Sequence, residues 1–376
     1  MDRLMKIAVI GIGGTGSAAL RFLAQDGHDV VGFEQFRIGH DRGSSHGESR
    51  IIRYLYPDPL FTSLIRDAYP LWLDLESRAG KELLVTTGGI FIGDAGAPEI
   101  DDTRASLESA GCDYEVLDAA QAGRRFSDFS FGDGEVALYQ GGTGFLRAST
   151  CVAANVDLAI AAGAVLREGA QVLSVDRDGE GVRVCTVDED HLFDRAIVTA
   201  GPWMSEMLRN AGLPLRVTRQ FVAYVGGRQA NAAAGGRFPA WIDFGSPEIF
   251  YGIPHDGRID GVKLAMHRFG PEVDPNASPD EIPAPLVARI EEYGRSRFRF
   301  DDARVTHSVA CLYTVTPDED FVVDRVPGVP SAWFVSGCSG HGFKFTVLLG
   351  KIAAGLATGA DVPYDLSRFS MSRFAP

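Results

Sequence analysis

The feature that most constrains the fold of this chain is a glycine motif that lies between a short apolar segment and a helical one. After residues 6–10, which read KIAVI, come the glycines of the motif: Gly11, Gly13, Gly14 and Gly16. A second apolar segment, DVVGFE, ends at Glu34. This pattern predicts a strand, a tight turn, a helix and a second parallel strand. The start of such a helix can bind a pyrophosphate, and the acid can accept hydrogen bonds from a ribose. FAD and NAD share the motif, and a glycine-rich turn without a ligand is the alternative.

The same alternation of strands and helices recurs later in the chain and predicts an α/β fold. Residues 147–163 read as a helix, residues 194–201 as a strand and turn, and residues 331–359 as a strand, a glycine turn and a helix. Residues 217–317 instead alternate aromatic and β-branched residues, which predicts an antiparallel sheet. We therefore expect a Rossmann-type domain interleaved with an α+β substrate domain that contains an antiparallel sheet. The predicted segments are 1–86, 147–216 and 318–376 for the first domain, and 87–146 and 217–317 for the second.

Composition and charge exclude several classes of function. The chain has 376 residues, of which 45% are hydrophobic and 23% charged, so most of it can bury enough apolar surface to fold. A net charge of −14 and the lack of a basic run argue against nucleic acid or an anionic membrane surface as a partner. Five scattered cysteines indicate neither a disulfide framework nor a zinc site, which predicts a cytoplasmic protein without a metal. No uncharged apolar run is long enough to span a bilayer.

The segment GSSHGESRIIRYLYPD, residues 43–58, carries the first candidate binding residues. Arg50 and Arg53 are three residues apart, and on a helix this spacing places both guanidinium groups on one face. Two fixed cations beside apolar residues can bind a carboxylate or stabilise negative charge on a cofactor. The alternative is a pair of surface arginines on an amphipathic helix.

A second candidate is Lys344 in SGHGFKF, one of only five lysines in the chain. It lies at the start of a predicted helix, where the helix dipole disfavours a cation. A bound anion close by would explain this position. The alternative is a lysine that extends past Phe343 and Phe345 to solvent.

Two further candidates lie in the predicted antiparallel sheet. In GVKLAMH, alternation places Lys263, Ala265 and His267 on one face of a strand, which predicts that they line the floor of a cleft. The alternative is a solvent-facing strand with a charged edge. Cys311, by itself, reads as a small buried apolar residue.

Together these segments resemble the family of monomeric sarcosine oxidases and N-methyltryptophan oxidases, over nearly the whole chain and in the same order. The resemblance rests on the joint occurrence of SHGESRIIR, CLYTVTPDEDFVVD and SGHGFKF with the glycine motif. It implies an FAD-binding Rossmann-type domain. It also implies that FAD is held covalently, through a thioether from Cys311 to the 8α position of the flavin. Nearby cations would favour the thiolate that forms this bond.

The resemblance also implies roles for the other candidates. Arg53 and Lys344 would hold the substrate carboxylate, and Lys263 would stabilise superoxide as dioxygen is reduced. Arg50 and His46 would line the opposite face of the flavin. The substrate pocket would include Tyr251, Tyr313 and His267, the last also a catalytic candidate. The cofactor-binding residues, besides Cys311, would be Gly11, Gly13, Gly14, Gly16, Glu34, Ser44, Gly340, Gly342 and Phe343.

The implied reaction is the oxidation of a secondary amino acid, either N-methyl or cyclic. Hydride transfer from the carbon next to nitrogen to flavin N5 gives an imine, and dioxygen is reduced to hydrogen peroxide. One alternative is a dehydrogenase that passes electrons to a quinone or a protein acceptor. Another is a dinucleotide-binding protein without catalysis.

The sequence leaves the identity of the amine open. Sarcosine, a bulkier N-methyl amino acid, a ring imino acid and a sugar-derived amine all fit the argument. Pro57, Asp58 and Pro59 depart from the family pattern in a loop that is expected to cover the substrate. The size of the amine and the oligomeric state therefore stay open, with a monomer plausible.

Overall fold

The structure is a computed structural model that describes residues 4–233, 237–277 and 281–374. Its strands are β1 (Lys6–Ile10), β2 (Asp29–Glu34), β3 (Arg50–Ile52), β4 (Leu84–Thr86), β5 (Gly89–Asp94), β6 (Glu115–Asp118), β7 (Glu135–Gln140), β8 (Gly144–Leu146), β9 (Val165–Glu168), β10 (Val172–Asp178), β11 (Gly181–Thr186), β12 (Asp190–Phe193), β13 (Arg195–Val198), β14 (Arg216–Gly226), β15 (Ala240–Asp243), β16 (Phe250–Ile253), β17 (Val262–Met266), β18 (Arg304–Val315), β19 (Val322–Arg325) and β20 (Ala332–Ser336). Its α-helices are α1 (Gly14–Gln25), α2 (Pro59–Ala79), α3 (Pro98–Ser109), α4 (Ala119–Arg125), α5 (Ala148–Ala161), α6 (Met204–Met207), α7 (Arg228–Asn231), α8 (Ala284–Arg297) and α9 (Thr346–Thr358).

A six-stranded sheet carries the dinucleotide motif, with the strand order β19-β20-β13-β1-β2-β9. All neighbouring strands in it are parallel except β19, which runs antiparallel at the edge. Alternate residues of β1 point to opposite faces of the sheet. Ile7 and Val9 pack with α1 and α9, whereas Ala8 and Ile10 pack with the small sheet of β10, β11 and β12. The Rossmann-type α/β fold is therefore confirmed.

The glycine motif forms the turn between β1 and α1. Gly11 has a φ of +84°, in the left-handed region that favours glycine. A Cβ atom on Gly16 would lie 1.9 Å from the carbonyl oxygen of Gly11. Because neither position tolerates a side chain, the backbone at the start of α1 lies close against the sheet.

An eight-stranded sheet forms the second layer, in the order β18-β14-β17-β16-β15-β5-β7-β6. Helix α8 contributes Ile290 and Tyr293 to the apolar core on one of its faces. The described strands of residues 217–317 pair with one another only in antiparallel fashion, as predicted, whereas β15 pairs in parallel with β5, which precedes this range. These two strands come from segments about 150 residues apart, so no hairpin fixes their relative direction.

Arg50 and Arg53 do not lie on a helix, the conformation in which their spacing would place both guanidinium groups on one face. Residues 50–52 form β3, which pairs with β8 in a small sheet that also contains β4. The β-branched Ile51 and Ile52 favour this extended conformation. Arg53 lies just after the end of β3, so the two arginines do not share a helix face.

The two-domain division stays a proposal that the sheets support. The strands of the six-stranded sheet fall in the segments predicted for the first domain, and those of the eight-stranded sheet fall in the other segments, within one residue. The sheet of β3, β8 and β4 crosses the proposed domain boundary at residue 87, because β3 and β4 precede this residue and β8 follows it.

Three further observations on the described residues concern disulfide bonds, metal sites and membrane-spanning helices. All five cysteines are free thiols. Residues 4–233, 237–277 and 281–374 contain no group of three or more His, Cys, Asp or Glu side chains arranged to hold a metal. In the same ranges, no helix combines the length and the apolar character that crossing a membrane requires.

Candidate active site

A cavity of about 710 Å³ lies where the two large sheets meet. It is lined by the following predicted site residues: Gly11, Gly13, Gly14, Glu34, Ser44, His46, Arg50, Arg53, Tyr251, Lys263, His267, Cys311, Tyr313, Gly340, Gly342, Phe343 and Lys344. Gly16 does not line it, because it packs against Gly11 and Thr199 instead. The fold thus brings together side chains from widely separated parts of the sequence.

One end of the cavity is formed by the start of α1 and the end of β2. Glu34 is buried, and its carboxylate accepts hydrogen bonds from the backbone N–H groups of Ile12, at 2.9 Å, and Phe36, at 3.0 Å. The side chain of Ser45 accepts one from the N–H of Gly14 at 2.9 Å. Glu34 therefore lies beside the helix start, where an acid can meet a ribose.

Lys263 lies on the cavity side of β17. Its neighbours Val262 and Leu264 enter the apolar core of the eight-stranded sheet, whereas Ala265 clusters with Cys311. Because Lys263 is buried, the alternative of a solvent-facing strand is wrong. Burial and the charge of Arg50 lower the pKa of this amine to about 7, so its charge is sensitive to its neighbours.

Arg50 is enclosed by the loop that precedes it. Its guanidinium donates hydrogen bonds to the backbone carbonyls of Ser44, His46 and Ser49, at 3.2, 2.7 and 3.0 Å. Burial, followed by the charge of Arg50, lowers the pKa of His46 to about 4. His46 is therefore neutral near pH 7, and its Nε2 is buried without a hydrogen-bond partner among the described residues.

Cys311 lies on β18 with 8% of its surface exposed. Burial raises the pKa of its thiol, while the charges of Arg50 and Lys263 lower it. Ser44, one of the predicted cofactor-binding residues, donates a hydrogen bond from its hydroxyl to the carbonyl of Leu312, the residue after Cys311, at 2.6 Å. The thiol thus lines the cavity beside two cations, and its pKa is raised overall because the effect of burial exceeds that of the two charges.

Arg53 and Lys344 meet at Tyr56. The guanidinium of Arg53 stacks on the Tyr56 ring, and Lys344 Nζ donates hydrogen bonds to the Tyr56 hydroxyl at 2.9 Å and to the His341 carbonyl at 2.7 Å. Lys344 is buried, and Arg53 is partly buried with its Nη1 shielded from solvent, so the alternatives of a surface arginine and of a lysine that reaches solvent are wrong. Burial lowers both pKa values, that of Lys344 strongly, and Lys344 also feels the charge of Arg53. Among the described residues no carboxylate pairs with either cation.

Aromatic side chains border this cationic region. The hydroxyls of Tyr251 and Tyr313 lie 3.2 Å apart, and the ring of His267 lies edge-on to Tyr251, with 6.4 Å between ring centres. Burial, Arg53 and Lys344 lower the pKa of His267. Gly340 has a φ of +82°, and a Cβ atom there would lie 2.2 Å from the Tyr313 ring, so glycine permits this contact.

The loop of Pro57, Asp58 and Pro59, which departs from the family pattern, is held in place where α2 begins. Asp58 caps α2 by accepting a hydrogen bond from the N–H of Leu60 at 2.9 Å, and Pro59 occupies the first turn. The same carboxylate forms an ion pair with Arg368 at 2.6 Å, and Arg368 also pairs with Asp320. The C-terminal segment therefore helps to hold this wall of the cavity.

The residues present fit FAD. Gly13 has no side chain to cap the start of α1, and although Ser45 accepts from the N–H of Gly14, the next N–H groups of the first turn can bind a pyrophosphate. Four buried polar atoms that lack partners among the described residues belong to side chains lining the cavity: His46 Nε2, Arg53 Nη1, Thr314 Oγ1 and Ser336 Oγ. Because buried polar groups are normally hydrogen-bonded, these atoms indicate a polar ligand.

The family model for FAD-dependent oxidoreductases matches residues 6–356. This chain belongs to that family. It is 32% identical to the monomeric sarcosine oxidase of Streptomyces avermitilis, covering 100% of this chain and 99% of that protein. It is 30% identical to the N-methyl-L-tryptophan oxidase of Yersinia pestis, covering 98% and 99%. The open form of NikD, described as an unusual amino acid oxidase essential for nikkomycin biosynthesis, superposes with a TM-score of 0.85 at 26% identity, covering 98% and 97%.

The resemblance inferred from the motifs is therefore confirmed, while the roles of individual residues in this FAD-dependent oxidoreductase stay predictions. Sequence reasoning missed Tyr56, Ser49 and Asp256, which contact the predicted cations or their neighbours. Tyr56 gave a weak signal, because it follows Arg53 by three residues in an apolar segment. Asp256 gave none, since an aspartate followed by glycine reads as an ordinary turn.

Proposed function

We propose that this FAD-dependent oxidoreductase is an oxidase of a secondary amino acid, N-methyl or cyclic, which forms an imine and hydrogen peroxide. The observation that carries this proposal is the pair of cations, the buried Lys344 and the partly buried Arg53 with its shielded Nη1, in the cavity that also contains Lys263 and Cys311. A buried cation without an anionic partner is unfavourable, so a substrate carboxylate would complete this region.

The carboxylate would fix the position of the substrate. Arg53 can offer its unpartnered Nη1, and Lys344 a further N–H, to the two carboxylate oxygens. Tyr251, Tyr313 and the neutral ring of His267 border the same region and would exclude water from the rest of the amino acid. His267 can accept a hydrogen bond from the amine, because its lowered pKa keeps it neutral.

FAD, when bound, supplies the two-electron oxidation of the carbon–nitrogen bond and passes the electrons to dioxygen. The residues that would hold it are those at the start of α1, Glu34, Ser44 and the loop that contains Gly340, Gly342 and Phe343. Cys311 is the proposed covalent attachment point, because its thiol lines the cavity near Arg50 and Lys263, whose charges oppose the rise in its pKa that burial causes. Arg50 and His46 border the same part of the cavity and would stabilise negative charge there.

Lys263 favours an oxidase over a dehydrogenase that uses a quinone or a protein acceptor. A charged amine in a buried cavity stabilises the negative charge that develops when dioxygen takes up an electron. The nearby Arg50 adds to this positive potential.

A peroxide-coupled screen of N-alkyl and cyclic amino acids tests the proposed function. The panel includes sarcosine, N-methyltryptophan, proline, pipecolate and a sugar-derived amino acid, each beside its methyl ester. We expect peroxide from at least one free acid and, because the ester lacks the carboxylate, much less from its ester. Equal rates with acid and ester would remove Arg53 and Lys344 from substrate binding. No turnover, and no bleaching of the bound flavin without oxygen, would contradict the function.

We also propose that the protein is a cytoplasmic monomer. The free thiols of Cys112, Cys151, Cys185, Cys311 and Cys338 support a reducing compartment. Light scattering of the purified protein tests the oligomeric state, and cell fractionation tests the location.

A further inference from the structure

Lys263 is connected through Ser49 to a buried carboxylate. The Lys263 amine donates a hydrogen bond to the Ser49 carbonyl, and the Ser49 hydroxyl donates one to Asp256 Oδ2 at 3.2 Å. Ser49 is fully buried, and Asp256 is 4% exposed. We infer that Asp256 is a positioning residue that keeps Lys263 charged and oriented toward the cavity, acting through Ser49. The inference rests on the role proposed above for Lys263.

The charges around Lys263 explain why such a residue is needed. The cations and titratable groups that face it are Arg50 on β3, His46 in the preceding loop, Cys311 on β18 and Tyr224, its cross-strand partner on β14. The anions are Asp256 and Glu48. Glu48 is partly exposed and forms an ion pair with Arg258, so its charge is largely compensated. Cys311 would offset the repulsion between Lys263 and Arg50 only as a thiolate, and its raised pKa keeps it neutral near pH 7. Asp256 is therefore the buried anion that offsets this repulsion.

The two carboxylate oxygens of Asp256 have different partners, so its role in the turn can be distinguished from its proposed effect on Lys263. Its Oδ1 accepts from the N–H groups of Arg258, at 2.9 Å, and Ile259, at 3.1 Å, which holds the turn between β16 and β17. The turn uses only this oxygen. The second oxygen points to Ser49, which a turn does not require. Two cations lie near this buried residue: Lys263, through Ser49, and Arg147, whose guanidinium donates a hydrogen bond to the Asp256 carbonyl at 3.2 Å.

Asp256→Asn is the variant that separates the two roles, because an amide oxygen can still accept the turn hydrogen bonds while the charge is lost. The matched control is Asp260→Asn, which removes an exposed charge from the same turn. The readout is the pKa of Lys263, measured in the flavin-loaded protein by NMR of lysine labelled with ¹³C at Cε. The chain has five lysines, so Lys263→Met assigns the signal.

We expect the Lys263 pKa to fall by about 1 unit or more in Asp256→Asn, in the direction set by loss of a neighbouring anion, and to stay unchanged in Asp260→Asn. An unchanged value in Asp256→Asn, or an equal shift in both variants, would overturn the inference. If Asp256→Asn does not fold, Asp256→Ser retains a short turn acceptor and takes its place.

A second measurement separates this inference from the proposed function. The rate of flavin reoxidation by dioxygen is followed as a function of pH in the same variants. We expect the high-pH decline of this rate to move to lower pH in Asp256→Asn by as much as the pKa does. If the pKa moves and the rate profile does not, Asp256 sets the charge of Lys263 and the oxygen-activating role fails.

Discussion

The guanidinium carbon of Arg53 lies 3.7 Å from the centre of the Tyr56 ring. A cation over an aromatic face is stabilised without being neutralised, so the charge of Arg53 stays available to an anion. The hydroxyl of the same tyrosine accepts the hydrogen bond from Lys344. One aromatic side chain therefore orients both cations of the proposed carboxylate site before a substrate arrives, which lowers the cost of binding.

Two substitutions of Tyr56 should separate its two contacts. Tyr56→Phe keeps the ring under Arg53 and removes the acceptor for Lys344, so we expect a carboxylate ligand such as benzoate to bind up to about tenfold more weakly. Tyr56→Leu removes both contacts and should weaken binding further. The measurement is the Kd by calorimetry with the flavin-loaded protein. Equal effects of the two variants would show that the ring contact with Arg53 does not matter.

Removing either cation should weaken carboxylate binding more strongly. Arg53→Met and Lys344→Met should each raise KM by at least about tenfold, given roughly 1.5–3 kcal/mol for a hydrogen bond to a charged group. Lys351→Met, on the exposed side of α9, is the matched control and should leave KM unchanged. Unaltered ligand affinity in both cationic-site variants would place the carboxylate elsewhere.

Carboxylate binding should also depend on pH through Lys344. Burial and Arg53 hold the pKa of Lys344 well below that of an ordinary lysine, so its charge is lost as the pH rises through this lowered value. The charged form binds the anion, and affinity should therefore fall with increasing pH while Arg53 stays charged. A pH series of Kd values tests this, and Lys344→Met should flatten it. A dependence that persists in Lys344→Met would assign the titration to another group.

Cys311 should retain the flavin after denaturation. Acid-precipitated wild-type protein should be yellow, and Cys311→Ala should release its colour to the supernatant. Cys338→Ala is the control, because Cys338 also lines the cavity but is not the proposed attachment point. Release of the colour from wild-type protein, or its retention in Cys311→Ala, would refute the covalent link.

The local parts of this structure could be predicted because the signals lie within a few residues. The glycine motif with Glu34 predicted the βαβ unit, and alternation placed Lys263 on the face opposite Val262 and Leu264. The three-residue spacing of Arg50 and Arg53 suggested a shared helix face. Spacing alone, however, does not show whether the backbone is helical or extended. β3 forms through pairing with β8, about 95 residues away.

The polar contacts that position the site residues could not be predicted from the sequence. Ser49 and Asp256 are 207 residues apart in sequence, and Tyr56 and Lys344 are 288 apart. Each of these residues has an unremarkable sequence environment, and its partner is fixed only when the two sheets meet. The sequence around Asp256 reads as an ordinary turn, so it gives no sign of the second contact, with Ser49.

The most direct test of the account compares the two half-reactions in wild type and Lys263→Met. In wild type, we expect a substrate amino acid to bleach the bound flavin without oxygen, and air to restore the colour with one equivalent of hydrogen peroxide. In Lys263→Met, bleaching should proceed at a similar rate, whereas recovery in air should slow by about 100-fold or more, because the buried charge is lost. Equal slowing of both half-reactions, or fast recovery without Lys263, would contradict the account.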